Sequence, residues 1–113
     1  MGVHVETKED VAIVSLQGNF FGERETEEFR VLLRQLASGG NKKLVIDLGA
    51  IGRMNSVGLS VLVELHTNYV KRGGRIILAN LGKSMQELLT ITRLARVFEI
   101  GPTLPEAQAK LSE

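Results

Sequence analysis

Residues 44–59 read Leu44-Val45-Ile46-Asp47-Leu48-Gly49-Ala50-Ile51-Gly52-Arg53-Met54-Asn55-Ser56-Val57-Gly58-Leu59. The first five are apolar but for Asp47, a run of the kind that forms a strand covered on both faces. Gly49 and Gly52 then loosen the chain, which predicts a loop that ends near Asn55. From Ser56 the period changes. Gly58, Val61, Leu62, Leu65 and Tyr69 make one helical stripe; Leu59, Val63 and Val70 widen it; Ser60, Glu64, Thr67 and Lys71 are left for the wet side. So broad a stripe implies a deeply buried helix, which Gly73-Gly74 ends.

The flanks repeat the alternation. Upstream, Val3, Val5 and Thr7 alternate with polar neighbours as a half-buried strand. After the polar turn Lys8-Glu9-Asp10, Val11 to Leu16 form a second strand, ended by Gly18; the short gap makes the two an antiparallel hairpin. A helix from about Glu23 to Leu36 carries Phe29, Leu32, Leu33 and Leu36 on one face, with Glu23, Glu25, Glu27 and Glu28 at the end where the helix dipole favours negative charge. Downstream, Ile76 to Ala79 is a buried-type strand. Ser84 opens a short helix with Met85, Leu88, Leu89 and Thr92, Val97 to Ile100 form a last strand, and Leu104, Ala107 and Leu111 mark a final helix that tolerates Pro105 in its first turn. The expected fold class is α/β: a mixed β-sheet in the order β-β-α-β-α-β-α-β-α packed by helices, with parallel pairing through crossovers and one antiparallel hairpin. Residues 1–113 are expected to be one domain, long enough to bury a core without staples.

Composition narrows the function classes. The net charge is +1, with seven basic and eight acidic residues up to Ser56 and seven and five after it, too even a balance to announce a nucleic acid or a membrane. The only Tyr is Tyr69 and the basic residues are scattered, so no basic and aromatic face for nucleic acid is expected. There is no cysteine, hence no disulfide or thiolate chemistry. The first residues lack the pattern of a secretory signal and no apolar run is long enough to span a bilayer, which predicts a soluble, cytoplasmic protein without membrane insertion.

Catalytic signatures are missing. His4 and His66 lie on different elements, no cluster has metal-ligand spacing, and neither phosphate-binding glycine motif is present. Met54-Asn55-Ser56-Val57-Gly58 superficially resembles a hydrolase elbow but lacks its leading glycine. Ten residues of helix, about 15 Å, separate Ser56 from His66, too far for a catalytic pair. No catalytic residue, metal or cofactor is expected, and the chain reads as a binding protein rather than an enzyme.

One segment has the character of a switch. Ile51 and Met54 beside Gly52 and Gly58 suggest a close-packed spot where another backbone can approach. Asn55 or Ser56 is the N-cap. A phosphate on Ser56 would add a charge of about −1.5 to −2, which the amides and dipole of a helix start would accept with little rearrangement, while a docked protein would meet desolvation and repulsion.

The run Leu44 to Leu48 followed by Met54-Asn55-Ser56-Val57-Gly58-Leu59 resembles the STAS pattern of a strand and then (M/I)-D-S-(S/T)-G-L. Gly73-Gly74-Arg75-Ile76-Ile77-Leu78-Ala79-Asn80 resembles that family's G-G-x-(L/V)-x-(L/V)-x-N stretch. The segment Leu88 to Phe98 is similar to its L-x-L-x-G-L-x-x-x-F segment. The resemblance runs from about Val3 to Leu111 and implies an anti-sigma factor antagonist. Such a protein binds an anti-sigma factor serine kinase, is released when the kinase phosphorylates it, and is restored by a serine phosphatase. By motif position the phosphorylated residue is Ser56, and Met54, Asn55, Ser56, Val57, Gly58 and Phe21 form the partner-binding surface; a homodimer is compatible with the same reading. Three positions depart from the pattern. Asn55 replaces Asp, Phe20 and Phe21 stand where an acidic residue is usual, and Arg93 stands where Gly is common. One phenylalanine of that pair is expected to be buried and the other partly exposed. The departures keep a second reading open, a STAS module that is never phosphorylated, for example the cytoplasmic subunit of a lipid-transporting ABC complex.

Overall fold

The computed structural model describes residues 2–20 and 23–111. Five strands and four helices follow in the order β1 (Gly2–Lys8), β2 (Val11–Phe20), α1 (Glu23–Ser38), β3 (Lys43–Met54), α2 (Ser56–Lys71), β4 (Arg75–Ala79), α3 (Lys83–Ile91), β5 (Glu99–Gly101) and α4 (Leu104–Leu111), with one 3-10 turn at Leu94–Arg96. This is the expected order. The sheet runs β1-β2-β3-β4-β5, with β1 antiparallel to β2 and every other pair parallel.

Strand alternation sends side chains to two cores. Ala12, Val14, Leu16, Leu44, Ile46, Leu48, Ile76 and Leu78 face α1, α2 and α3, where they meet Phe29, Leu33, Leu62, Tyr69, Met85 and Leu89. Val11, Ile13, Val45, Ile77 and Ala79 face the other way and meet α4, through Ala107 and Leu111. The two-sided burial explains why β3 and β4 read as unbroken apolar runs. Contact between α4 and the sheet is close: a Cβ on Gly101 would lie 2.8 Å from Ala107 Cα. Arg75 Nη1 donates to the Lys110 carbonyl (2.9 Å), Lys110 Nζ to the Ile100 carbonyl (2.9 Å), and the Arg75 guanidinium pairs with Glu99.

Several boundaries differ from the sequence reading. β2 does not end at Gly18 but runs to Phe20, and β3 continues through Gly49 and Gly52 to Met54, so the expected loop is strand. The extension pairs with β2 through register shifts between Ser15 and Gln17 and between Gly18 and Phe20. Bulges of this kind let a strand bend while it stays paired. At Gly52 a Cβ would fall 2.5 Å from Asn19 Oδ1, so the side chain of Asn19 occupies the space that glycine vacates. Val70, expected to widen the buried stripe of α2, is 53% exposed, whereas Tyr69 beside it in the same turn is 1% exposed, so the buried face of the last turn is narrower than the apolar stripe. The last strand begins at Glu99 rather than Val97. Arg93 adopts φ +64, the left-handed conformation in which a glycine would be unstrained.

Candidate partner-binding site

The site is built where β3 hands over to α2. Met54, the last residue of β3, points into the larger core and is 7% exposed. Asn55 then takes extended backbone angles, and its Oδ1 accepts hydrogen bonds from the amides of Val57 (3.1 Å) and Gly58 (3.2 Å). Its carbonyl accepts the Leu59 amide at 3.0 Å. Asn55 is therefore the N-cap, and the choice that the sequence left open is settled against Ser56. Ser56 is the first residue of the helix and is exposed. Val57 beside it is 42% exposed, and its carbonyl accepts from Ser60 Oγ at 2.7 Å. Gly58 is buried.

Of the segment 54–58, then, Ser56 and Val57 face solvent, Asn55 is half-buried, and Met54 and Gly58 anchor the turn from beneath. The expectation that helix amides would take up an added phosphate with little rearrangement needs correcting. The amides of Val57 and Gly58 are already bonded to Asn55, so a phosphate at Ser56 gains the dipole directly but those two amides only in competition with the cap. Phe21 and the side chain of Phe20 lie outside the described residues, as do the side chains of residues 23–26.

A shallow groove adjoins the segment, lined by Arg53, Met54, Ser84, Met85, Glu87, Leu88 and Ile91. Ile91 is 80% exposed, the most open large apolar side chain among the described residues. The sequence reading missed it. A signal was available: Met85 and Leu89 define the buried stripe of α3, and Ile91 falls off that stripe.

Behind the site, Asp47 Oδ1 accepts the Gly49 amide (2.9 Å) and Asn80 Nδ2 (3.1 Å), tying the β3 extension to the residue that follows β4. The histidines stand apart from Ser56. His4 is exposed on β1, and His66 sets its ring edge-on to Phe98 with centroids 5.3 Å apart. Among the described residues no group of three His, Cys, Asp or Glu side chains could hold a metal, and no helix is long and apolar enough to cross a membrane.

Among the described residues, the titrating groups with displaced pKa values lie elsewhere. The hydrogen bond from Lys43 lowers the Asp10 carboxyl, the Arg75 guanidinium lowers Glu99, and burial raises the Tyr69 hydroxyl. Tyr69 closes the far end of α2. Its hydroxyl donates to Asn41 Oδ1 (2.8 Å), Asn41 Nδ2 donates to the Lys43 carbonyl (3.1 Å), and the Arg72 guanidinium lies 5.4 Å from its ring centre.

A family model for the STAS domain matches residues 3–107. The chain belongs to the STAS domain family. The match spans every strand and reaches into α4. Solved structures agree in fold. An anti-sigma factor antagonist from Mycobacterium paratuberculosis superposes with a TM-score of 0.88 at 24% identity, over 99% of this chain and 94% of that one. A serine-to-glutamate variant of RsbS from Moorella thermoacetica gives 0.82 at 21% identity, over 97% and 94%. The phosphorylated form of SpoIIAA, a Bacillus cell fate determinant, gives 0.77 at 17% identity, over 96% and 98%. At these identities the likeness is one of fold. In this STAS domain the handover from β3 to α2 carries Asn55-Ser56, with a neutral cap and an open hydroxyl.

Proposed function

We propose that this STAS domain is an anti-sigma factor antagonist that exchanges partners through Ser56. In its unmodified form it binds an anti-sigma factor serine kinase; phosphorylation of Ser56 releases it, and a serine phosphatase returns it to the binding form. The observation that supports this most is the position of Ser56, exposed on the first turn of α2 and bound into no cap. A kinase can reach that hydroxyl without unfolding the helix. An added phosphate leaves the cap of Asn55 in place and stands at the positive end of the dipole, where negative charge stabilises. A partner packed over Val57 and the adjoining groove would instead have to bury the phosphate, at a cost of several kcal/mol. The solved structure of a phosphorylated SpoIIAA with this fold supports the same reading.

A second reading, constitutive docking without phosphorylation, rests on Asn55, which caps the helix without offering a charge to a kinase. Incubation with the cognate kinase and ATP, read by intact mass, separates the two. The switch predicts one added phosphate that Ser56→Ala abolishes. Binding of the kinase with no phosphate transferred to Ser56 would favour constitutive docking.

A further inference from the structure

Among the described residues the sheet leaves both of its edges open. β5, at one edge, has three residues, whereas β1, at the other, has seven and pairs only with β2 among the described residues. The hairpin fixes which backbone groups point outward. Its turn has two residues, Glu9 (φ +57) and Asp10, and the closing pair is Lys8 with Val11. In a two-residue hairpin the closing pair exchanges both backbone hydrogen bonds, and bonded and unbonded pairs then alternate. Glu6 opposite Ile13 and His4 opposite Ser15 are therefore bonded to β2. Val3, Val5 and Thr7 turn their N–H and C=O groups to the open side.

Side chains alternate in the same rhythm. Val3 and Val5 are half-buried against the larger core, while His4, Glu6 and Lys8 are exposed on the other face. An antiparallel two-fold pairing of β1 with a second copy of itself, centred on Val5, satisfies both patterns at once. Val5 then opposes Val5, and Val3 opposes Thr7, at positions where the outward backbone groups meet. His4 of each copy opposes Glu6 of the other on the exposed face. Moving the centre to Glu6 sets carboxylate against carboxylate and His4 against Lys8. Moving it to His4 sets histidine against histidine and pairs less of the strand. We infer that this edge joins two copies of the chain into one continuous sheet in the Val5-centred register, with His4 and Glu6 selecting the register. A single pair of short strands buries far less than the roughly 1,200 Å² of a stable interface, so the dimer is weak and governed by concentration.

Sedimentation equilibrium of the full chain tests this. A reversible monomer–dimer equilibrium is expected for the natural sequence. Val5→Pro removes an outward N–H that β2 does not use, so the variant should keep its far-UV circular dichroism and be monomeric. In case proline disturbs the strand, His4→Glu is a second route: it opposes four carboxylates and should weaken the dimer about tenfold. Adding Glu6→Lys to His4→Glu sets opposite charges face to face and should restore the dimer. A chain that stays monomeric to about 1 mM, or a dimer indifferent to the two charge variants, overturns the inference and leaves the edge to a strand of a different protein.

Discussion

The two ends of α2 are built on opposite plans. At the C-terminal end, the Tyr69 hydroxyl is bonded to Asn41, the Gly74 amide bonds the Tyr69 carbonyl at 2.7 Å, and Gly74 packs so closely that a Cβ would lie 2.8 Å from the Lys42 carbonyl oxygen. At the N-terminal end, one asparagine side chain satisfies two amides and the next residue stands in solvent. Both ends belong to a helix whose middle is buried through Leu59, Val61, Leu62 and Leu65. The closed end and the middle hold the helix to the sheet, so the open end can change its charge without the fold depending on it. The switch proposed at Ser56 would need that separation between the part that stabilises and the part that is modified.

Substitutions at the two ends should break this contrast unequally. The largest effect is expected from Gly74→Ala, whose methyl would press on the Lys42 carbonyl and the Tyr69 ring. Overpacking against backbone costs about 2 kcal/mol, which denaturant unfolding will register as a lower midpoint.

Tyr69→Phe removes the donor to Asn41 and should cost about 1 kcal/mol. It should also change the alkaline limb of the stability curve. Burial raises the pKa of the Tyr69 hydroxyl in the folded state. Its contribution is thus complete below the ordinary tyrosine value of about 10 and is lost as pH rises through the higher folded value. The decline above about pH 10 should be shallower in Tyr69→Phe than in the natural chain, as urea unfolding at stepped pH will show.

At the open end, Asn55→Ala should cost about 1 kcal/mol through loss of the cap. Ser56→Ala should change stability by less than about 0.5 kcal/mol, because the serine is exposed and caps nothing. A larger loss from Ser56→Ala than from Asn55→Ala would mean that the two residues exchange roles in solution.

Much of this contrast was legible in the sequence. The stripe from Gly58 to Tyr69 gave the buried face of α2, and the apolar runs of β3 and β4 reflected burial on both sides. Local residues could not show where β3 ends. Gly49 and Gly52 read as breakers, yet both lie in strand, because β2 bulges beside them and Asn19 fills the space at Gly52. That pairing joins residues more than thirty positions apart, as the register of Gly18 with Ile51 shows. The cap was undecidable for a related reason. Asn and Ser are both good caps, and the choice falls to whichever residue stands where the strand ends. Val70 was misplaced because a periodic stripe says which side of a helix is apolar, not which of its residues a neighbour covers. Ile91 was overlooked although its position off the α3 stripe marked it.

The most direct test is calorimetric titration of the cognate anti-sigma factor kinase with the natural chain and with Ser56→Asp, after matched melts show that both are folded. A carboxylate at the start of α2 should leave the melting temperature unchanged or slightly raised while weakening the complex by about tenfold or more, a loss of roughly 1.4 kcal/mol. Equal affinity for the two proteins would contradict the account, since the open end of α2 would then be a surface that the partner does not read.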